Sequence, residues 1–151
     1  MAARRPVAKS EPPDHIPQLM TRVLATTNHR AGRDLGGHDL SPQGARALVT
    51  LLERGPMRVS LLAELVGLEP TGLSHLMRTL DQRGLLRRER DGTDHRSVLV
   101  ALTTPGRALA RRCADIQARH QAVLLRQFSA DEASRLRAML HKMIDTLAAT
   151  N

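Results

Sequence analysis

Two features of this 151-residue sequence predict a mainly α-helical fold with one small β-hairpin. Apolar residues recur at three-and-four spacing through most of the chain, the period of a helix with one covered face. The stretch 85–103 departs from that period, and it carries Asp91-Gly92 between two extended runs, a hairpin signal. A third feature concerns assembly: the helices at both ends carry more apolar stripe than one small subunit can cover.

The elements follow in order. Residues 1–14 contain Pro6, Pro12 and Pro13 and little that is apolar, so they read as a flexible tail. From His15 a helical stripe runs through Ile16, Leu19, Met20, Val23, Leu24 and Thr27, and Gly32, Gly36 and Gly37 are expected to end it. Ser41 and Pro42 suit the cap and first position of a second helix carrying Ala45, Leu48, Val49, Leu51 and Leu52, closed by Gly55-Pro56. A short helix over 59–66 follows, with Arg58 where a better cap is usual, and Gly67 supplies a turn. Pro70 opens the next helix, which turns Leu73, Leu76, Met77 and Leu80 inward and ends before Gly84 at a left-handed position. Residues 85–90 and 97–103 are expected to be extended, the second as a strand with one covered face. Pro105-Gly106 begins a long helix to about Phe128. Ser129 and Glu132 form a capping box for the last helix, whose Leu136, Met139, Leu140, Met143, Ile144 and Leu147 lie close to a heptad seam.

Composition narrows the function. Formal net charge is +8, and Lys9 and Lys142 are the only lysines, so arginine carries nearly all the positive charge. That balance predicts an anionic partner, and the guanidinium fork suits phosphates and guanine edges. One Phe with no Tyr or Trp argues against single-strand binding on rows of stacked aromatics. A single cysteine, Cys113, excludes an internal disulfide or a multi-cysteine zinc finger. No apolar run approaches a membrane span and no secretory leader is visible, so a cytoplasmic protein with no membrane partner is expected. No nucleophile–base pair, metal-ligand spacing or phosphate-cradling loop is present, so neither catalysis nor a cofactor is expected.

Two short helices joined at a glycine and followed by a hairpin make a winged helix-turn-helix. The lobe is assigned to 41–104, and the helical dimerisation region to 15–40 with 105–151. The second helix of the pair would enter the major groove of double-stranded DNA through Thr71, Gly72, Ser74, His75 and Arg78, with Ser60 beside it on the first helix. Arg87, Arg88 and Arg90 lead into the hairpin, and Asp94-His95-Arg96 sits at its tip. An arginine on a protruding ribbon fits a narrow minor groove, and Asp94 would hold Arg96 in an aimed pose. Residues 57–104 hold seven arginines against six acids, so the lobe's positive charge must be concentrated on these two faces.

With these residues in place the sequence resembles the MarR family of bacterial transcription regulators from about Leu40 to Leu147. The resemblance rests on Gly84-Leu85-Leu86, Arg87-Arg88, Asp94-x-Arg96, Val100-Ala101-Leu102-Thr103 and Gly106, with Leu73-Ser74-His75 through Leu80-Asp81 before them. It implies a homodimer joined by the terminal helices, with two winged lobes on a pseudo-palindrome. It also implies repression relieved by a small effector, often phenolic or an aromatic acid, or by an oxidant. This chain has His75 where the family often has arginine. Redox regulators of the family often place their sensing cysteine near the N-terminus, where this chain has none.

Other polar residues allow plainer readings. Cys113 on an apolar stripe suits a buried, inert thiol, with a redox-responsive regulator as the alternative. His29, Asp34, His38 and Asp39 cluster loosely in sequence and suit surface or satisfied polar groups rather than a metal site. His120 suits a core histidine with one hydrogen bond. If the effector pocket lies between the first two helices and the long helix, as the resemblance implies, His38 and His120 are its candidate contacts. An effector-independent architectural DNA-binding protein is the alternative function.

Overall fold

The computed structural model describes residues 15–90 and 98–150, apart from the side chains of Pro70 and Arg90. The tail expected at 1–14 therefore lies outside the described residues. Among the described residues, six α-helices and three strands follow in the order α1 (Ile16–Leu35), α2 (Pro42–Arg54), β1 (Met57–Arg58), α3 (Val59–Val66), α4 (Pro70–Gln82), β2 (Leu86–Arg90), β3 (Val98–Leu102), α5 (Thr104–Leu124) and α6 (Ala130–Ala148).

Local chemistry sets most boundaries. The Ser41 hydroxyl accepts from the Gly44 amide at 3.0 Å and caps α2. Ser129 and Glu132 close the capping box of α6, with Ser129 N donating to Glu132 Oε2 at 2.8 Å and Glu132 N to Ser129 Oγ at 3.2 Å. Two helices end in matching glycine turns. Gly67 (φ +70°) follows α3, with Leu68 N bonded to the Ala63 carbonyl. Gly84 (φ +65°) follows α4, with Leu85 N bonded to the Leu80 carbonyl. Both are the six-to-one bond of a helix stop that needs a left-handed residue.

Several expectations change. Gly32 does not stop α1, which continues to Leu35 before a 3-10 turn over Gly36–His38; a single mid-helix glycine costs only about 1 kcal/mol. α5 starts at Thr104, capped by the Thr103 hydroxyl on the Gly106 amide at 3.1 Å, and it stops at Leu124 rather than near Phe128. A third strand, β1, was not expected. It pairs antiparallel with β3 (Met57 opposite Val100), giving the sheet order β1-β3-β2. β3 is thus the central strand, and α2 and α5 both pack on it. Its second half is buried on both faces, Ala101 included, which overrides the alternation expected of a strand with one covered face. Leu76 is only half-buried, whereas Leu73, Met77 and Leu80 are buried.

The core has two centres. One joins α2, α3, α4 and the sheet around Leu48, Leu51, Leu62, Leu73, Leu80 and Leu102. The other joins α1, α2 and α5 around Leu35, Ala45, Val49, Cys113 and Ile116. Ala110 of α5 enters the first centre, so the long helix supports the lobe as well as the terminal bundle. At Gly106 a Cβ would fall inside the Leu85 carbonyl, so α5 crosses the start of the sheet at a separation only glycine allows. α6 meets the other described elements only sparsely, with Ala133 in its first turn buried. Thirteen large apolar side chains remain exposed on α1, α6 and the end of α5 with the residues after it, among them Ile16, Leu24, Phe128, Met139, Ile144 and Leu147. No described helix is long and apolar enough to cross a membrane.

Candidate nucleic-acid interface

α3 and α4 form the expected helix pair. Leu62 and Val66 of α3 and Leu73, Met77 and Leu80 of α4 are buried, so the pair presents a fixed outer surface. On that surface Ser60, Thr71, Gly72, Ser74, His75 and Arg78 are all exposed. The three small residues in the first turns of α4 leave its backbone accessible to a partner as close-fitting as a DNA groove. Thr79 Oγ1 folds back onto the His75 carbonyl at 3.1 Å and so faces its own helix.

The hairpin is paired to its last described residues, with Leu86 opposite Leu102 and Arg90 opposite Val98. Arg90 thus ends a strand. Its side chain lies outside the described residues, as do Asp94, His95 and Arg96. Arg87 is engaged within the sheet. Its guanidinium pairs with Glu89 on the same strand, and its Nε reaches the Leu102 carbonyl at 3.5 Å. Arg88 is exposed. Arg58 stands at the start of α3 without a side-chain cap. Pairing of Arg58 with Leu99 in the sheet fixes that end instead.

Two arginines that hold the lobe in place were not singled out by sequence. Arg83, just past α4, donates from both terminal nitrogens to the Asp39 and His38 carbonyls, at 2.6 and 2.8 Å. The end of α4 is thereby fastened to the elbow between α1 and α2. Arg46 of α2 donates to the Val66 carbonyl at the end of α3 at 3.0 Å and reaches Asn28 Oδ1 of α1 at 3.5 Å. The signal for Arg46 was a long cation set between Ala45 and Ala47 on an apolar stripe.

A cleft of about 340 Å³ lies between α1, α2 and α5, bordered by Asn28, Arg46, Cys113, Ile116, Gln117 and His120. A second, of about 500 Å³, opens between α1 and α5 beside Leu19, Arg22, Val23, Arg30, Val123 and Leu124. His120 lines both, and its Nε2 lies 2.6 Å from Asp34 Oδ2. This contact holds the Asp34 carboxyl below its ordinary range. His38 lines neither cleft, so the two candidate effector contacts are not brought together. Cys113 is fully buried, and burial pushes its thiol up, away from the thiolate a redox sensor needs. Among the described residues no group of His, Cys, Asp and Glu could hold a metal ion.

The MarR family model matches residues 40–98, the span that builds the helix pair and two strands of the sheet. The organic hydroperoxide resistance transcriptional regulator of Bacillus subtilis is 30% identical over 105 residues, 70% of each chain. The chain belongs to the MarR family. It is therefore a DNA-binding transcriptional regulator and not an enzyme. A MarR-family regulator from Silicibacter pomeroyi is 27% identical, covering 87% of this chain and 89% of its own, with a TM-score of 0.77. S. aureus MepR, solved in complex with DNA, shares the fold at 22% identity and a TM-score of 0.75, over 87% of this chain and 98% of its own.

Proposed function

We propose that this MarR-family regulator is a homodimeric repressor that binds a pseudo-palindromic operator and is released by a small effector. The observation that carries the reading is the outer face of α4, where Thr71, Gly72, Ser74, His75 and Arg78 are exposed over a locked apolar base. The lobes span 41–104, and the dimer forms through 15–40 and 105–151, where the exposed apolar residues of α1, α5 and α6 lie. Recognition helices about 34 Å apart match half-sites one helical turn apart. Arg96, steadied by Asp94 and flanked by Arg90 and His95, enters the minor groove beside each half-site. The shared fold of MepR, a protein solved on DNA, supports this docking.

The effector, a small phenolic or aromatic acid in this reading, occupies the cleft between α1, α2 and α5, where His120 offers a polar contact. It shifts the lobes only by binding the released and DNA-bound arrangements unequally. Anisotropy titration with fragments of the chain's own promoter region tests the reading. Binding should weaken as salt rises and should discriminate among fragments. Salt-independent binding overturns it, and equal affinity for all fragments favours an architectural role.

A further inference from the structure

Arg46 belongs to the effector cleft and to the DNA-reading helix pair at once. It borders the cleft with Gln117 and His120, and its guanidinium bonds the Val66 carbonyl at 3.0 Å. Val66 ends α3, and the last carbonyls of a helix have no partner within it. The glycine turn after α3 takes up the Ala63 and Glu64 carbonyls through the Gly67 and Leu68 amides. Arg46 supplies the donor for Val66, in the short turn that leads to the cap of α4 at Glu69. Its other branch points to Asn28 of α1, so one side chain touches α1 and the turn that aims α4.

We propose that Arg46 is the positioning residue through which occupancy of the cleft reaches the recognition helix, and that the occupant carries a carboxylate or similar anionic acceptor. The proposal rests on the effector reading above and deepens it. The Val66 carbonyl offers the guanidinium one neutral oxygen, whereas a carboxylate offers a full opposite charge and two oxygens that match the fork. A carboxylate in the cleft therefore draws the fork from the neutral Val66 carbonyl. The α3–α4 turn loses its brace from α2, and α4 is freed from the pose in which it reads DNA. Such a ligand binds the released arrangement better than the braced one, the condition for shifting the population.

A carboxylate built into the cleft wall tests this without knowledge of the natural effector. Gln117→Glu supplies it, in parent, Arg46→Met and Arg46→Lys backgrounds. The first readout needs no DNA: the amide resonance of Gly67, whose peptide group contains the Val66 carbonyl. The second is affinity for the promoter fragment. In the parent background Gln117→Glu should move the Gly67 resonance and weaken DNA binding by about fivefold or more, the lower range of allosteric couplings. With Met at position 46 the resonance should already sit at its displaced position and Gln117→Glu should add less than about twofold, below the range of allosteric couplings. Lysine keeps the charge without the fork and should behave like methionine at Gly67, which carries the test if the methionine variant fails to fold. An unmoved Gly67 resonance in the parent background, or an equal effect of Gln117→Glu with and without Arg46, overturns the proposal. A parent chain that binds no DNA overturns the operator reading instead, and the Gly67 resonance still decides the role of Arg46.

Discussion

Ile144→Asp is expected to split the proposed dimer into folded monomers. Ile144 lies on α6 with 61% of its surface exposed, in the middle of a face shared with Met143 and Leu147. Covering that share of an isoleucine contributes about 1–2 kcal/mol. In the proposed two-fold dimer the residue would enter the interface twice, so loss of apolar burial alone would cost about 2–4 kcal/mol, roughly a 30-fold to 1,000-fold rise in dissociation constant. A carboxylate taken from water adds a further penalty of the same sign. Sedimentation at micromolar concentration should show the parent at about 33 kDa, twice the 16.6 kDa chain, and the variant at 16.6 kDa, with helix lost only from the uncovered terminal helices. Leu61→Asp, on an exposed face of α3 away from the terminal helices, should remain dimeric. A parent that sediments as a monomer, or an Ile144→Asp protein that stays dimeric, refutes the assignment of these faces to a second copy.

Four further outcomes follow from particular contacts. Gly106→Ala drives a methyl into the Leu85 carbonyl and should cost at least about 2 kcal/mol, with a fall in Tm of roughly 4–8 °C in a thermal melt. Arg78→Ala should weaken operator binding by about 1–3 kcal/mol with relaxed discrimination if the side chain reads a base, or lower the salt slope by about 1 if it holds a phosphate; a variant unchanged in both removes Arg78 from the interface. Asp34 has a lowered pKa in the folded chain, so its bond to His120 stabilises above the unfolded carboxylate value of 3.8 and is lost as pH falls through the lower folded value. Asp34→Asn should flatten the pH dependence of stability in that acid window, and a superimposable profile would show the contact has no thermodynamic weight. Cys113, buried and held as a thiol, should react with a disulfide reagent only after unfolding, and organic hydroperoxide should leave DNA affinity unchanged.

The parts of the fold legible in sequence are those determined by near neighbours. Ser41, Ser129 with Glu132, and Gly84 mark helix ends by bonds that span at most five residues. The buried stripe of α4 repeats at helical spacing, so its outward residues could be named as well. β1 was hidden because two residues carry no period, and its identity comes from pairing across the fold with Leu99 and Val100. Arg83 and Arg46 were hidden for the same reason. Their acceptors lie 44, 45 and 20 positions away, and a charge count treats a brace and a DNA contact alike. His38 and His120 were placed together by analogy of position, but one lies in the turn that Arg83 clamps and the other is engaged by Asp34.

The two halves of α1 differ in their surroundings. Its first half, with Ile16, Leu19, Met20, Val23 and Leu24, is apolar and exposed. Its second half and the turn beyond it carry the polar contacts to the rest of the chain: Asn28 to Arg46, Asp34 to His120, and the His38 and Asp39 carbonyls to Arg83. A continuous helix of 20 residues is about 30 Å long and resists bending. In the proposed dimer, any change in the angle at which two copies meet along the first half would therefore be delivered at the second, where Arg83 grips the end of α4 and Arg46 the end of α3. The same rigidity works in reverse in the proposed dimer: an operator that fixes the spacing of the two recognition helices would fix the angle of the interface, and the cleft between α1, α2 and α5 would change shape with it.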